Sequence, residues 1–264
     1  MLSLPQPPPT PTLASPPDPP IVVLTETSRT LDQLLRFCYP IDNPELDTVE
    51  EVFFVLEAAK KYLMECVVRE VHRAQFTRHA EREPVRMYAM ACSRGWGDEM
   101  RMAARASLAQ PLADGCCDSN SLRELDSISA GSFLRLQAYH RACRKVAVSI
   151  HYYGADTKGP PARKLRFARK SRKYGNVHVE PWWTEYMERA REALQIRPCG
   201  ATVMTPELSF KFILDVVSKL PLYDRTRVLF DLAQFNLEFA ESVDRAVAEV
   251  SQNILRLARP LRLV

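Results

Sequence analysis

Glycine is scarce in this chain, which has only eight glycines among 264 residues and no glycine-rich loop. Loops that cradle phosphate groups use glycine because the backbone must approach the anion without an intervening Cβ atom. The sequence therefore gives no support to nucleotide binding through a loop of this kind.

Motifs for nucleophilic catalysis and for metal binding are also missing. No Gly-x-Ser-x-Gly elbow occurs, and no serine or cysteine comes with a recognisable base partner. Zinc sites use closely spaced cysteine and histidine ligands, but neither a Cys-x-x-Cys pair nor a His-Glu-x-x-His motif is present. We therefore predict that the protein is not an enzyme and that it holds no cofactor or metal.

Cysteine occurs seven times, an odd number, without the spacing of a disulfide framework. Several cysteines fall on apolar helix faces, where a free thiol behaves as a small hydrophobic residue. The weak metal-ligand candidates have simpler interpretations, which are a structural role for Cys66, Cys116 and Cys117 and solvated surface for His72 and His79. His140 is interpreted as a hydrogen-bonded packing residue. This use of cysteine favours a reducing, intracellular compartment, either the cytoplasm or the nucleus.

Long hydrophobic runs are absent, which argues against a signal peptide and against any membrane association. Residues 1–20 carry many prolines and are predicted to form a disordered segment that samples extended polyproline II conformations. The net charge of +4 is too small to make the whole surface attractive to nucleic acid. Any electrostatic partner must therefore be recognised by a local cluster.

Helical periodicity dominates the chain after residue 27. Leu31, Leu34, Leu35 and Cys38 recur at spacings of three and four, and Pro40 then stops this short helix. A longer helix is predicted after Thr48, because Glu51 follows three residues later in the pattern of a capping box. The apolar stripe of this second helix and its continuation consists of Val49, Val52, Phe53, Leu56, Ala59, Leu63 and Val67.

The chain beyond residue 110 divides into three regions. Residues 111–152 are predicted to form a helical extension, with Ser129 as the N-cap of its main helix. Residues 153–181 lose the hydrophobic period and are predicted to form a basic, irregular loop. Residues 182–264 are predicted to form a C-terminal helical region, whose last helix begins near Asp224. Its long apolar stripe favours packing within the chain, and a coiled coil is the alternative.

One short strand is predicted at Ile21–Thr25, because the sequence IVVLT is short and β-branched. A lone strand leaves its backbone donors and acceptors unpaired. Either a later segment pairs with it, or the sequence lacks the material that does. The predicted fold class is therefore mainly α, with one short strand.

The order of strand, short helix ending in CYP and capped helix resembles the second half of a BTB/POZ domain, in the form found in many fungal proteins. The resemblance is carried by TETSRTLDQLLRFCYPIDNPELDTVEEVFFVLEAAKKYLME, with support from RMYAMACSRGWGDEMRMAARASL, ISAGSFLRLQAYHRAC and WWTEYMERAREALQIRPCGA. It implies that residues 21–110 contain the C-terminal half of an α+β BTB/POZ module and the helices that follow it. The implied core residues are Leu31, Leu34, Leu35, Phe53, Leu56 and Leu63.

BTB/POZ domains begin with a β-hairpin and helices for which this sequence has no counterpart before Ile21. The resemblance therefore implies a module truncated at its N-terminus, for which family-like homodimerisation and binding to cullin-type ligase scaffolds are doubtful. The role it implies is a non-enzymatic, adaptor-like protein–protein interaction with a protein partner. A charge placed at Leu35 or Leu56 is expected to unfold this part, because an unpaired charge in a core is costly.

The strongest local charge lies in KGPPARKLRFARKSRKY, which contains no acidic residue. The candidate electrostatic patch consists of Lys158, Arg163, Lys164, Arg166, Arg169, Lys170, Arg172 and Lys173. Such a cluster can contact nucleic-acid phosphates, an acidic protein or the nuclear import machinery. A solvated loop or a nuclear localisation signal is favoured, because no motif for reading bases accompanies it. A nucleic-acid-associated nuclear protein is the alternative function.

Overall fold

The computed structural model describes residues 21–112, 125–150, 168–170, 177–179, 181–218 and 222–254. This part of the chain is mainly helical, as the periodicity predicts. The helices are α1 (Ser28–Arg36), α2 (Val49–Lys61), α3 (Glu65–Glu70), α4 (Thr77–Arg82), α5 (Pro84–Ser93), α6 (Gly97–Ala106), α7 (Ala130–Val148), α8 (Pro181–Ile196), α9 (Gly200–Val203), α10 (Phe212–Ser218) and α11 (Leu222–Ile254). Further helical segments are the π-helical Val71–Phe76 and Glu207–Lys211 and the 3-10 turn Ser107–Ala109.

Side-chain caps start the first two helices, and the predicted cap at Thr48 is confirmed. The Thr27 hydroxyl accepts a hydrogen bond from the N–H of Thr30 (3.2 Å). The Thr48 hydroxyl accepts one from the N–H of Glu51 (3.2 Å). Each bond satisfies a donor that the first helical turn leaves without an intrahelical partner. The Glu51 carboxylate accepts from the N–H of Asp47 (2.9 Å), so the second half of the capping box is shifted by one residue.

A tight hairpin joins α2 to α3. Leu63 adopts a left-handed backbone conformation with a φ of 57°. The N–H of Met64 donates to the carbonyl of Ala59 (2.8 Å), which closes the last turn of α2. From Glu65 onward, α3, the π segment Val71–Phe76 and α4 follow one another along a single helical stretch.

The core around this hairpin contains only some of the leucines that the sequence assigns to it. Leu34, Phe53 and Leu56 are buried, and Leu31 is partly buried. Leu35 is 50% exposed and Leu63 is 85% exposed, so their assignment to the core is wrong. Leu35 lies about 100° around α1 from Leu34, which takes the inward position. Leu63 lies in the left-handed turn beyond α2, where the helical period of the stripe no longer applies.

The strand predicted at Ile21–Thr25 is not formed. Residues 21–24 have no regular secondary structure. The strands found in the described part of the chain are β1 (Ala168–Lys170) and β2 (Val177–Val179), which pair with each other. A β-prone segment needs a neighbouring strand to accept its backbone hydrogen bonds, and the described residues supply none at this position.

The ribbon of β1 and β2 lies within the segment predicted to be irregular, which is a second correction. The pairing is antiparallel, with Arg169 opposite His178. Residues 151–167 and 171–176 lie outside the described residues, as does the proline-rich segment 1–20. The C-terminal helical region then begins with α8 at Pro181.

Helix α7 connects the earlier helices to the later ones. Its predicted N-cap is confirmed, because the Ser129 hydroxyl accepts from the N–H of Ser132 (3.2 Å). The carbonyl of Ser132 accepts a hydrogen bond from the buried Tyr88 hydroxyl of α5 (3.0 Å). Further along, α7 packs against α8 and α11. The buried side chains from α1 to α11 consequently form one continuous hydrophobic core.

The apolar stripe of α11 packs within the chain over the stretch where its side chains are described. Phe235, Phe239 and Val243 are buried. The ring of Phe235 meets that of Tyr186 on α8 edge-on, with 6.2 Å between the ring centroids. The interpretation that this stripe serves intramolecular packing therefore fits the contacts, and a coiled coil is not needed to bury it.

Candidate interaction surface

An apolar segment without regular secondary structure lies exposed at the start of the described chain. Ile21 and Val23 are 94% and 90% exposed, and Val22 and Leu24 are exposed as well. Single exposed apolar residues are common on protein surfaces, but a contiguous group of them marks an interaction site. We call Ile21–Leu24 the apolar segment.

A polar cluster fixes the chain immediately after the apolar segment. Lys61, at the end of α2, donates to the Thr25 hydroxyl (2.7 Å) and to one Glu26 carboxylate oxygen (2.7 Å). The Tyr62 hydroxyl donates to the other Glu26 oxygen (2.6 Å). Hydrogen bonds from Lys61 and then from Tyr62 lower the pKa of Glu26 to about 2, so this carboxylate is ionised at neutral pH. We call Thr25, Glu26, Lys61 and Tyr62 the anchor.

Leu63 adds a further exposed apolar side chain beside the anchor. It directly follows Tyr62, in the left-handed turn that ends α2. Tyr62, the residue before Leu63, is hydrogen-bonded to Glu26. Glu26 lies two residues after the end of the apolar segment. The apolar segment and Leu63 lie at the same end of α2.

A buried carboxylate ties together the helices next to the anchor. Glu99 of α6 accepts hydrogen bonds from Lys60 Nζ (2.5 Å) and from His72 Nε2 (2.8 Å). Burial by itself raises the pKa of Glu99, but the hydrogen bonds from His72 and Lys60 outweigh it and lower that pKa to about 2. The Lys60 ammonium also lies over the Trp96 ring, 3.9 Å from its centroid. These contacts hold the end of α2 against α6 and the π segment Val71–Phe76.

The two histidines assigned to solvated surface are held by the protein instead. His72 is largely buried against Glu99, and His79 is buried with its Nε2 atom 2.7 Å from the Leu46 carbonyl. They therefore do not converge with Cys66 on a common centre. Within the ranges that the structure describes, no three His, Cys, Asp or Glu side chains are grouped to hold a metal. Cys116 and Cys117 lie outside those ranges.

His140 and Ser107 form a buried pair that resembles part of a catalytic arrangement. The His140 Nε2 atom lies 2.7 Å from the Ser107 hydroxyl oxygen. That hydroxyl also donates to the Ala104 carbonyl (2.7 Å), so Nε2–H is the donor to Ser107. Burial, and then the charge of Arg144, lower the pKa of His140 to about 4. Both side chains are about 1% exposed, so a substrate cannot reach the hydroxyl and the pair is a packing contact.

The structure describes only part of the candidate electrostatic patch. Arg169 and Lys170 lie on β1, where they pair with His178 and Val177 of β2. The residues of the patch that lie outside the described residues are Lys158, Arg163, Lys164, Arg166, Arg172 and Lys173. The structure places Arg169 opposite His178 across the ribbon.

Sequence reasoning missed the anchor and the contacts of Glu99. The periodicity places Lys60 and Lys61 on the outer face of α2, where solvation is the ordinary expectation. Lys61 instead meets Glu26, a residue 35 positions away, and Lys60 meets one 39 positions away. A local pattern carries no signal for such pairs, because the partners become neighbours only when the helices pack.

The fold and this surface define a mainly helical protein with an exposed apolar segment fixed to the end of a helix. None of the described helices has both the length and the apolar character needed to cross a membrane. No protein-family model, no curated protein and no solved structure matches the chain.

Proposed function

We propose that this chain is a non-enzymatic protein–protein interaction module of BTB/POZ type with an adaptor-like role. The family part of the proposal is supported by the sequence resemblance and by the order of α1, Tyr39-Pro40, α2 and α3. The interaction part is carried by one observation, the exposure of the apolar segment. Burial of these side chains by a partner would remove them from water.

The apolar segment is suited to binding by strand addition. Its residues are β-branched or apolar and strongly favour strands, while its backbone lies outside any strand of the described chain. An extended peptide of a partner can then supply the missing backbone hydrogen bonds. Side chains on alternate sides of the new pair would provide selectivity.

The anchor lowers the cost of this binding mode. A free extended segment loses backbone entropy when a partner orders it, at roughly 1–2 kcal/mol per residue. Thr25 and Glu26 are already held at the end of α2, so the residues before them start from a fixed point. Preorganisation of this kind increases affinity without adding contacts.

The first test compares partner binding by the natural protein and by the double variant Ile21→Ser/Val23→Ser. Partners are identified by quantitative capture from cells and then purified for direct titration. Each apolar side chain contributes roughly 1.5–3 kcal/mol when fully buried, so at least a tenfold loss of affinity is expected. The matched control is Phe230→Ser, an exposed apolar residue on α11, which should leave the affinity unchanged. Equal binding by the double variant would contradict the proposal.

A second test separates backbone pairing from apolar contact. The variants Val22→Pro and Val23→Pro each remove one backbone N–H donor, and successive donors of an extended chain point to opposite sides. One of the two variants should therefore lose binding while the other keeps most of it. The alanine variants at the same positions control for the side chains. Equal effects of the two prolines would contradict strand addition.

The ribbon of β1 and β2 favours a second candidate function, association with nucleic acid. A two-stranded ribbon can enter the major groove of DNA, and Arg169 and Lys170 lie on β1 of this ribbon. Basic side chains on such a ribbon would neutralise phosphates without reading the sequence.

Salt dependence tests the second candidate. The dissociation constant for a generic DNA duplex is measured across salt concentrations, for the natural protein and for Arg169→Gln/Lys170→Gln. Two lost phosphate contacts should reduce the slope of log K against log salt by about 2. Binding that is absent, or that is unchanged when all eight basic residues of the patch become glutamine, would exclude this function.

A further inference from the structure

The turn that ends α1 exposes three large apolar side chains. At least half of each of Leu35, Tyr39 and Ile41 is open to water. The Leu35 carbonyl accepts hydrogen bonds from the N–H groups of Cys38 (2.8 Å) and Tyr39 (3.3 Å), so Tyr39 lies one helical turn beyond Leu35. The Tyr39 carbonyl accepts from the N–H of Ile41 (2.8 Å), and this tight turn keeps Ile41 beside Tyr39. We call Leu35, Tyr39 and Ile41 the turn patch.

Acidic side chains flank the turn patch on both sides along the chain. Asp32 lies on α1 one turn before Leu35, and residues at this spacing share a helix face. Asp42 directly follows Ile41, and Glu45 is exposed between two buried residues of the loop that leads to α2. None of these three carboxylates forms an ion pair or a side-chain hydrogen bond with another described residue.

Most carboxylates on the helices around the turn patch are instead neutralised by basic partners. Glu51 at the start of α2 pairs with Arg29, and Glu57 farther along this helix pairs with Arg94 (3.5 Å). The acidic residues of the N-terminal helices that form such pairs are Glu26, Glu50, Glu51, Glu57, Glu70, Glu83, Asp98 and Glu99. Between residues 32 and 47, by contrast, a single basic residue, Arg36, stands against four acidic residues. The negative charge beside the turn patch is therefore open to a partner.

The combination of apolar surface and unpaired negative charge selects one class of partner. Carboxylates repel the phosphates of nucleic acids and of anionic lipid headgroups, so neither of these fits the surface. They attract lysine and arginine, whose aliphatic stems can also lie along apolar side chains. A contiguous apolar group is covered when the partner supplies apolar side chains of its own. The fitting occupant is therefore a protein segment that is both basic and amphipathic.

The backbone of the turn favours a helical partner over an extended one. The N–H groups of Cys38, Tyr39 and Ile41 already donate within the turn, so they offer no edge for strand addition. Contact must therefore come through side chains. A helix presents apolar side chains at spacings of three and four residues, which matches the spacing of four between Leu35 and Tyr39.

We propose that the turn patch binds a lysine- or arginine-rich amphipathic helix of a partner protein. Apolar side chains of that helix cover the turn patch, and its basic side chains meet Asp32 and Asp42. The turn patch and the apolar segment lie at opposite ends of α1, whose nine residues span about 13 Å. This second interaction goes beyond the first and does not depend on it, so the chain can hold two partners through two surfaces.

The test titrates the full-length protein into a labelled probe peptide that repeats leucine and lysine at helical spacing. This probe should bind with a dissociation constant in the micromolar range at low salt, and its affinity should fall as the salt concentration rises. A counterpart with glutamate in place of lysine should not bind. A peptide of lysine and serine with the same charge should bind at least tenfold more weakly, since it cannot cover the turn patch.

Two variants separate the apolar contact from the charge. Tyr39→Ser/Ile41→Ser should weaken probe binding at least tenfold, because it removes most of the apolar surface. Asp32→Asn/Asp42→Asn keeps that surface, so it should weaken binding at low salt and flatten the dependence on salt. Circular dichroism verifies that both variants are folded.

Two controls show whether the probe binds at the turn patch. Leu237→Ser is the matched control, because Leu237 on α11 is as exposed as Leu35 and should not affect binding. Ile21→Ser/Val23→Ser should also bind the probe normally, which separates this proposal from the function of the apolar segment. A loss in either control equal to that of the turn-patch variant would overturn the proposal.

Other results would also overturn it. These are the absence of probe binding, binding that is unchanged in either of the first two variants, and equal binding of the glutamate counterpart. Tighter probe binding when the eight basic residues of the candidate electrostatic patch become glutamine would assign the turn patch to the chain's own basic segment. A concentration-dependent dimer in light scattering that Tyr39→Ser/Ile41→Ser abolishes would assign it to a second copy of the chain.

Discussion

Glu99 and His140 are both buried, and their ionisation is coupled to folding for different reasons. Glu99 stays charged because Lys60 and His72 bind it. His140 stays neutral because burial opposes its charged form and Arg144 adds positive charge nearby. In both cases the pKa in the folded state is below its ordinary value, so acid favours the unfolded state.

The pH dependence of stability should show the two groups in separate windows. The contribution of His140 is complete above pH 6.5 and is lost as the pH falls to about 4, because the unfolded chain takes up the proton first. The loss should approach about 3 kcal/mol. Urea unfolding from pH 7.5 to 4 measures it, and His140→Gln should flatten this slope. Glu99→Gln should leave the slope above pH 5 unchanged, because Glu99 titrates between 4.5 and about 2.

Leucines of neighbouring helices should respond oppositely to a charge. Leu56 lies on the buried face of α2, so Leu56→Asp places a carboxylate without a partner in the core. This variant should not fold, and its melt should show no cooperative transition. Leu35→Asp should be tolerated within about 1 kcal/mol, since half of this side chain already meets water. Circular dichroism melts of both variants check this. A loss of folding in Leu35→Asp would show that the exposed side of α1 is needed for stability.

At the scale of elements, side-chain hydrogen bonds fix the starts of helices, and close backbone contact fixes how α9 packs against α11. Thr48 and Ser129 each satisfy an N–H group at the start of a helix. Gly200, at the start of α9, lies against α11 and donates its N–H to the Asp244 carboxylate (2.8 Å). A Cβ at Gly200 would lie 2.5 Å from the Ala240 carbonyl oxygen, which leaves no room for a side chain.

Two glycines at helix starts therefore provide a matched pair of substitutions. Gly200→Ala should destabilise the protein by about 2–3 kcal/mol, because α9 must move away from the α11 backbone. Gly97→Ala should be neutral or stabilising by less than about 1 kcal/mol, since the nearest atom is the mobile Arg101 guanidinium at 3.6 Å. Chemical denaturation of both variants measures the difference. Equal effects would show that the contact of α9 with α11 relaxes without cost.

At the scale of the whole molecule, α7 makes the N-terminal and C-terminal helices mutually dependent. Tyr88 and Ser107 bind it from the N-terminal side, through Ser132 and His140 respectively. The opposite side of α7 packs against α8 and α11. The regions expected at 21–110, 111–152 and 182–264 therefore share one core among the described residues.

A shared core predicts a single unfolding transition. Tyr88→Phe removes the hydrogen bond to the Ser132 carbonyl and keeps the ring, so it should lower stability by about 1 kcal/mol. The transition followed by tryptophan fluorescence and the transition followed by circular dichroism should shift together. If the two signals separated in this variant, the N-terminal and C-terminal helices would unfold independently.

Local chemistry made part of this structure predictable. The caps at Thr48 and Ser129 and the stop at Pro40 depend on residues within four positions of one another, and their patterns are visible in the sequence. The β-prone composition of IVVL predicted a strand at this position and left open whether a later segment pairs with it, and in the described part of the chain none does. The anchor was not predictable, because Glu26 and Lys61 meet only after α1 and α2 have packed.

The sequence by itself determined where α2 and α7 start and most of the side chains that the helices bury, since hydrogen bonds at helix ends and side-chain periodicity act over one or two turns. Only the tertiary structure decided that Leu63 faces water, that Glu99 is charged in the core and that Lys61 meets Glu26. Each of these outcomes depends on which elements become neighbours in space, and that is set by the packing of the whole chain.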